Sequence, residues 1–222
     1  MTGAPVTLLP CGPRAVLLEV ADLAAVLRVD AAVRTVVEGG QPPWDRVIDV
    51  VPAARTVLLT LAGSNDLAAV ARGVIELARA VLREGAPASP PDQDHVVELP
   101  VVYDGPDLDD VASLVGLSTQ EVVTAHTGTL WQVAFGGFAP GFAYLTGGDP
   151  RLTVPRRTEP RTSVPTGAVA LAGPFSGVYP RSSPGGWQLI GRTETVLWDE
   201  RRDPPALLRP GWNVRFVERP AL

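Results

Sequence analysis

Apolar and polar positions alternate with two different rhythms along the 222 residues, and the change of rhythm divides the chain. Residues 15–20, Ala-Val-Leu-Leu-Glu-Val, read as a strand. Asp22 then stands where it can cap a helix that carries Leu23, Val26, Leu27, Val33 and Val37 on one face, and Gly39-Gly40 stops it. Two strands follow at 46–51 and 56–62, and a second helix starts from Ser64 with Leu67, Val70, Val74, Leu77 and Val81 at helical spacing, ended by Gly85. This order predicts an α+β domain with helices on one side of an antiparallel sheet. The proline-rich stretch 86–92 reads as a linker, which gives an N-terminal domain over 1–90 and a C-terminal domain over 91–222.

Beyond the linker, residues 96–103 read as a strand. Asp107 can cap a short helix through Leu108, Val111 and Leu114. Ser118-Thr119-Gln120-Glu121 has the form of a capping box, opening a helix that ends close to His126, and 130–135 alternates as a strand. Helical periodicity then disappears. Eleven of the 22 glycines fall between Gly136 and Gly191, and Pro150, Pro155, Pro160 and Pro165 exclude a helix by removing backbone donors. Further strand signals at 169–173, 188–190, 195–198 and 214–217, separated by turns, predict an all-β domain closed or nearly closed into a barrel.

Composition narrows the chemistry. All 19 basic residues are arginine, a pattern that GC-rich codon usage produces, and with no lysine a Walker-type phosphate loop, a Schiff base and a biotin-attachment site are excluded. A net charge of −5, with no basic tail or helix, argues against nucleic acid and anionic membranes as partners. One cysteine, Cys11, allows neither an internal disulfide nor a cysteine-rich metal site, and no apolar run approaches the ~20 residues that span a bilayer, so a cytoplasmic setting is expected. The self-contained catalytic signatures, G-x-S-x-G and H-E-x-x-H among them, are missing, and no metal site is expected.

The remaining candidates crowd into one stretch. His95 lies by the linker and reads as a surface residue. His126 is available for proton transfer if it reaches a cleft lined by Phe138, Tyr144 and the arginines; equally, it sits where a histidine serves a helix C-terminus. Arg156, Arg157, Arg161, Arg181 and Arg192 could clamp a carboxylate or phosphate, at about 1.5–3 kcal/mol per charge-assisted contact. Individually they could instead pair with Glu159, Glu194, Asp149 or Asp199. Pro184-Gly185-Gly186-Trp187 offers a tight turn whose backbone N–H groups could form an anion nest, with Trp187 plugging the barrel or walling the cleft.

Taken in order, several motifs resemble one family: Gly105-Pro106-Asp107-Leu108, His126-Thr127, the run from Gly137 to Leu145, Pro155-Arg156-Arg157, Pro160-Arg161, Val164-Pro165-Thr166-Gly167, Gly177-Val178-Tyr179-Pro180, and Pro184-Gly185-Gly186-Trp187 through Gly191-Arg192-Thr193. They are similar to the B subunits of bacterial 5-oxoprolinase, a group that includes KipI-type kinase inhibitors and allophanate hydrolase subunit 1. The resemblance implies an α+β N-terminal domain followed by a cyclophilin-like barrel. It also implies ATP-dependent opening of 5-oxo-L-proline to L-glutamate, shared with a directly bound 5-oxoprolinase C subunit and with an A subunit. ATP with magnesium would be used by the complex and not held tightly by this chain, which would be inactive alone and could form a homo-oligomer. On this reading His126, Arg156, Arg161 and Arg192 are the catalytic candidates, and Phe138, Gly141, Tyr144, Tyr179, Ser183, Gly185, Gly186 and Gln188 the substrate-binding ones. Inhibition of a sensor histidine kinase, or a carboxyltransferase-like role on a urea-derived substrate, are the alternatives within the same group.

Overall fold

A computed structural model describes residues 6–84 and 95–220. The chain divides into two compact units, Met1–Pro90 and Pro91–Leu222. In the first, β1 (Thr7–Pro10), β2 (Ala15–Glu19), β3 (Val47–Pro52) and β4 (Thr56–Leu61) form an antiparallel sheet of order β1-β2-β4-β3. Helices α1 (Leu23–Glu38) and α2 (Leu67–Glu84) complete the unit. Strand alternation turns Val16, Leu18, Val57, Leu59 and Leu61 inward, where they share one core with Val26, Val29 and Val33 of α1 and Val70 and Val74 of α2. Asp22 caps α1 as its position predicts, accepting from the Ala25 N–H at 2.8 Å. Strand β1 escapes the sequence reading because it is only four residues long and ends at Pro10, yet it pairs residue for residue with β2. Helix α2 starts at Leu67, three residues after the expected Ser64. Its expected stop at Gly85 and the linker 86–92 lie outside the described residues.

The second unit is a mixed α/β barrel, so the all-β description needs correction. Helices α3 (Leu108–Val115) and α4 (Thr119–Thr127) belong to it, and their Val111, Ala112, Val122 and Ala125 are part of its core. The strands are β5 (Val96–Val101), β6 (Trp131–Gly136), β7 (Ala143–Thr146), β8 (Arg161–Val164), β9 (Ala168–Ala172), β10 (Phe175–Val178), β11 (Ser183–Gly185), β12 (Gln188–Arg192) and β13 (Asn213–Glu218). Seven of them form a sheet in the order β12-β9-β10-β7-β6-β13-β5, while β8 and β11 form a separate ribbon. The two edges meet: Val102, just past β5, exchanges both backbone hydrogen bonds with Arg192 of β12, at 2.9 and 2.8 Å. That single bridge leaves the barrel nearly closed.

Strand β9 shows why the sequence reads as it does here. Val169 and Leu171 face the barrel interior with Leu99, Trp131 and Phe216, whereas Ala168, Ala170 and Ala172 face an outer layer with Phe142, Tyr179 and Trp187. A strand covered on both faces is an unbroken apolar run. The expected strand at 195–198 is instead irregular, with the Thr195 N–H bonded to the Thr193 hydroxyl at 3.2 Å and a single bridge from Trp198 to Ala206. Among the described residues, no helix is long and apolar enough to cross a membrane.

Candidate functional site

The loop between β5 and α3 runs hard against β12. Gly105 permits this, since any Cβ at that position would collide with the backbone of Leu189 and Ile190. The Asp107 N–H bonds to the Leu189 carbonyl at 2.9 Å and delivers the Asp107 carboxylate into the wall of the barrel, 1 % exposed. There Oδ2 accepts from the Leu189 N–H at 2.7 Å, and Oδ1 accepts from both Arg157 Nη1 at 2.7 Å and Arg161 Nη2 at 2.6 Å. The expected role of Asp107 as the side-chain cap of α3 is therefore corrected: it makes no cap bond. Two charge-assisted bonds and a buried N–H outweigh a cap worth about 1 kcal/mol.

Two guanidinium groups share this one carboxylate, so the centre carries more positive than negative charge. At it, the Arg157 Nε, Arg161 Nη1 and Gln188 Oε1 atoms are buried without a hydrogen-bond partner among the described residues. Gln188 is 6 % exposed and anchored through Nε2 to the Pro155 carbonyl at 3.2 Å. Cavities flank the centre on two sides. One, of about 590 Å³, is lined by Arg157, Thr158, Glu159 and Gln188 with Asp110, Ser113 and Leu114 of α3. The other, of about 390 Å³, includes Arg161, Arg192, Ser163, Thr166 and Asp104. Arg192 Nε bonds Asp104 there at 2.9 Å.

Of the expected residues, the structure thus gathers Arg157, Arg161, Arg192 and Gln188 around one centre, with Asp107 added, while Ser183 lies on β11 opposite Val164. The arginines pair with Asp107 and Asp104, while Asp149 and Asp199 pair with Arg151 and Arg201 instead. Arg156 and Arg181 are exposed, and neither makes a hydrogen bond or ion pair among the described residues.

His126 lies elsewhere, in the barrel interior at zero exposure, so its expected reach into a cleft is corrected. Its Nδ1 meets the Tyr103 hydroxyl at 2.7 Å and its Nε2 the Ser176 hydroxyl at 2.9 Å, with Phe216 stacked at 4.1 Å. Burial alone pulls its pKa down from 6.5 to about 3. A neutral imidazole, one nitrogen donating and one accepting, satisfies both hydroxyls. Burial, and secondarily the charge of Glu218, raises the Tyr103 hydroxyl far above its ordinary range.

The aromatic candidates form the layer outside the sheet. Phe142, Tyr179 and Trp187 are buried in it with half-buried Tyr144, and only Phe138 stands out, 60 % exposed and held at φ 68°. Trp187 therefore packs in a core and does not wall a cleft. Gly141 lets the loop approach Trp198, and Gly185 lets β11 approach the Tyr179 hydroxyl. The expected backbone nest is corrected too. Neither Gly185 nor Gly186 has positive φ, Gly185 is a strand residue, and the Gly186 carbonyl accepts from the Arg157 N–H at 2.8 Å. Asp107 went unread as a site residue because an aspartate before a helix signals a cap; the tight Gly-Pro-Asp approach was the signal available.

Residues 6–208 match the family model described as carboxyltransferase domain, subdomain C and D. The chain is 44 % identical over 174 residues to the 5-oxoprolinase B subunit of Escherichia coli O157:H7, covering 77 % of this chain and 78 % of that protein. It is 49 % identical over 125 residues to the protein of the same name from Bacillus subtilis, covering 55 % and 52 %. The crystal structure of TTHA0988 superimposes with a TM-score of 0.71 at 37 % identity, over 94 % of this chain and 40 % of that one. The urea amidolyase of Kluyveromyces lactis, at 21 % identity and a TM-score of 0.74, shares the fold over 96 % of this chain and 15 % of its own.

Proposed function

Because the chain belongs to the family of carboxyltransferase domains of the subdomain C and D type, we propose that it is the B subunit of an ATP-dependent assembly that opens 5-oxo-L-proline to L-glutamate. A directly bound C subunit and an A subunit would complete the assembly. The observation that carries this reading is the 44 % identity over 174 residues to a protein bearing the B subunit's name. The fold shared with urea amidolyase, at 21 % identity, says nothing about substrate.

The chemistry suits a shared task. An unstrained lactam resists water at neutral pH, and transfer of a phosphoryl group from ATP to the amide oxygen makes the ring carbon a better electrophile. Water then adds to that carbon, the C–N bond breaks as the nitrogen takes a proton and leaves as the α-amine, and a second water displaces inorganic phosphate from the resulting acyl phosphate to give glutamate. In this reading Arg157 and Arg161, braced by Asp107, and Arg192 on the neighbouring cavity present fixed positive charge to anionic oxygens. Arg156 stays in solvent with no assigned contact, and His126 holds the barrel. The described residues bring together no three of His, Cys, Asp and Glu as metal ligands, and in this reading the partner subunits hold ATP and magnesium.

The test is glutamate formation from 5-oxo-L-proline and ATP by this chain with its cognate A and C subunits, each omitted in turn. Turnover should require all three. Undiminished turnover without this chain, or none from a verified soluble assembly, would remove the assignment.

A further inference from the structure

We propose that the 590 Å³ cavity beside Asp107 binds an α-amido or α-amino acid, its carboxylate held by Arg157 and its nitrogen by Gln188. The choice of ligands to test rests on the reading above, since 5-oxo-L-proline and L-glutamate are the two acids of that reaction.

A guanidinium grips a carboxylate best along its Nε–Nη2 edge, with two parallel bonds. Arg157 gives Nη1 to Asp107, which leaves that edge without a hydrogen bond among the described residues, its Nε already desolvated. The fork is also fixed in place: Asp107 holds the head, and the Gly186 carbonyl holds the backbone N–H. Such a group loses little freedom when a ligand arrives.

Gln188 adds the second requirement. Its Nε2 is committed to the Pro155 carbonyl, so its amide oxygen is oriented, buried and unpartnered, and the residue lines the same cavity. An amide oxygen cannot receive a carboxylate; it needs a donor, such as an N–H. A donor fork beside an acceptor matches the N–C–COO⁻ unit, in which a nitrogen carrying hydrogen sits one carbon from a carboxylate. Asp110 and Glu159, on the same cavity, favour an ammonium over an uncharged carbon at that position. The lactam N–H of the substrate and the ammonium of the product both satisfy the acceptor, whereas acids with no hydrogen-bond donor beside the carboxylate do not.

Calorimetric titration of the full chain alone with four probes tests this. 5-Oxo-L-proline and L-glutamate should bind at least ~10-fold more tightly than 2-pyrrolidinone, which lacks the carboxylate, and glutarate, which lacks the nitrogen. Gln188→Leu and Arg157→Gln should abolish the preference. Because Arg157 also braces Asp107, a surface pair, Asp110→Asn with Glu159→Gln, supplies a variant that keeps the buried centre, and it should narrow the gap between L-glutamate and glutarate. Equal binding of all four probes would overturn the proposal, as would no binding of any, or variants that melt like the wild type and retain its preferences. Binding with this selectivity in a chain whose assembly shows no turnover would keep the site and discard the oxoprolinase reading. Turnover by an assembly in which these variants leave KM for 5-oxo-L-proline unchanged would do the reverse.

Discussion

At the scale of single residues, His126 and Asp107 are two buried polar groups with opposite consequences. His126 is neutral in the fold, with a pKa near 3 against 6.5 outside it. Between those values the unfolded chain takes up a proton that the folded barrel refuses, so unfolding gains as the pH falls. The stability tied to this residue is complete above about pH 6.5 and is lost progressively toward pH 3, by an amount on the order of a few kcal/mol. His126→Gln keeps one donor and one acceptor for Tyr103 and Ser176 but cannot titrate. Urea unfolding at pH 7.5 and 4.5 should show a smaller loss in the variant than in the wild type, and equal losses would contradict the neutral core histidine. Asp107→Asn removes the charge that two guanidinium groups share, and should cost about 3–5 kcal/mol in the same assay at pH 7.5, since breaking a buried pair strands its partners. A loss under 1 kcal/mol would mean that solvent already compensates Arg157 and Arg161.

At the scale of elements, the close contact between the Gly105 loop and β12 is what brings Asp107 to its arginines. Gly105→Ala places a methyl group into the Leu189–Ile190 backbone and should lower the melting temperature more than Ser118→Ala does. Ser118→Ala removes only the capping box of α4, closed by Ser118 and Glu121, and should cost about 1 kcal/mol. Differential scanning fluorimetry of the two variants ranks the effects, and the reverse order would dislodge the loop from its assigned role. That capping box was legible in the sequence, as were α1 behind Asp22 and strands β2, β3 and β4 of the first sheet, because each is specified by residues within a few positions. Strands β7, β8, β10 and β11 were not. They are three or four residues long, too short for an alternation to show, and what makes them strands is pairing with distant or hairpin partners, as with Ser176 against Leu145. The site divides the same way. Arg161, Arg192 and Gln188 were visible as residue types, whereas the 50-residue reach from Asp107 to Arg157 has no local signature.

At the scale of the molecule, each unit has its own means of stability. The first buries a single apolar cluster running from Val16 to Ala78. The second buries two, one inside the barrel from Leu99 to Phe216 and one outside it around Phe142 and Trp187. Units of this size, each with a complete core, lie within the range that folds independently. Placing a domain boundary near residue 90 therefore makes a prediction about chain pieces: residues 91–222 expressed alone should be soluble and unfold in one cooperative transition. The piece should also retain the His126-dependent loss of stability on acidification, because Tyr103, Ser176 and Phe216 all lie within it. The Asp107 centre is equally self-contained, with Arg157, Arg161 and Leu189 drawn from the same unit, so Asp107→Asn should destabilise the piece as much as it does the full chain. Urea titration followed by tryptophan fluorescence reads all three, since four of the five tryptophans, including buried Trp131 and Trp187, belong to this unit. A piece that is soluble but shows no cooperative transition would mean that residues 1–90 are needed to complete the barrel, and the boundary near residue 90 would then separate compact regions without separating folding units.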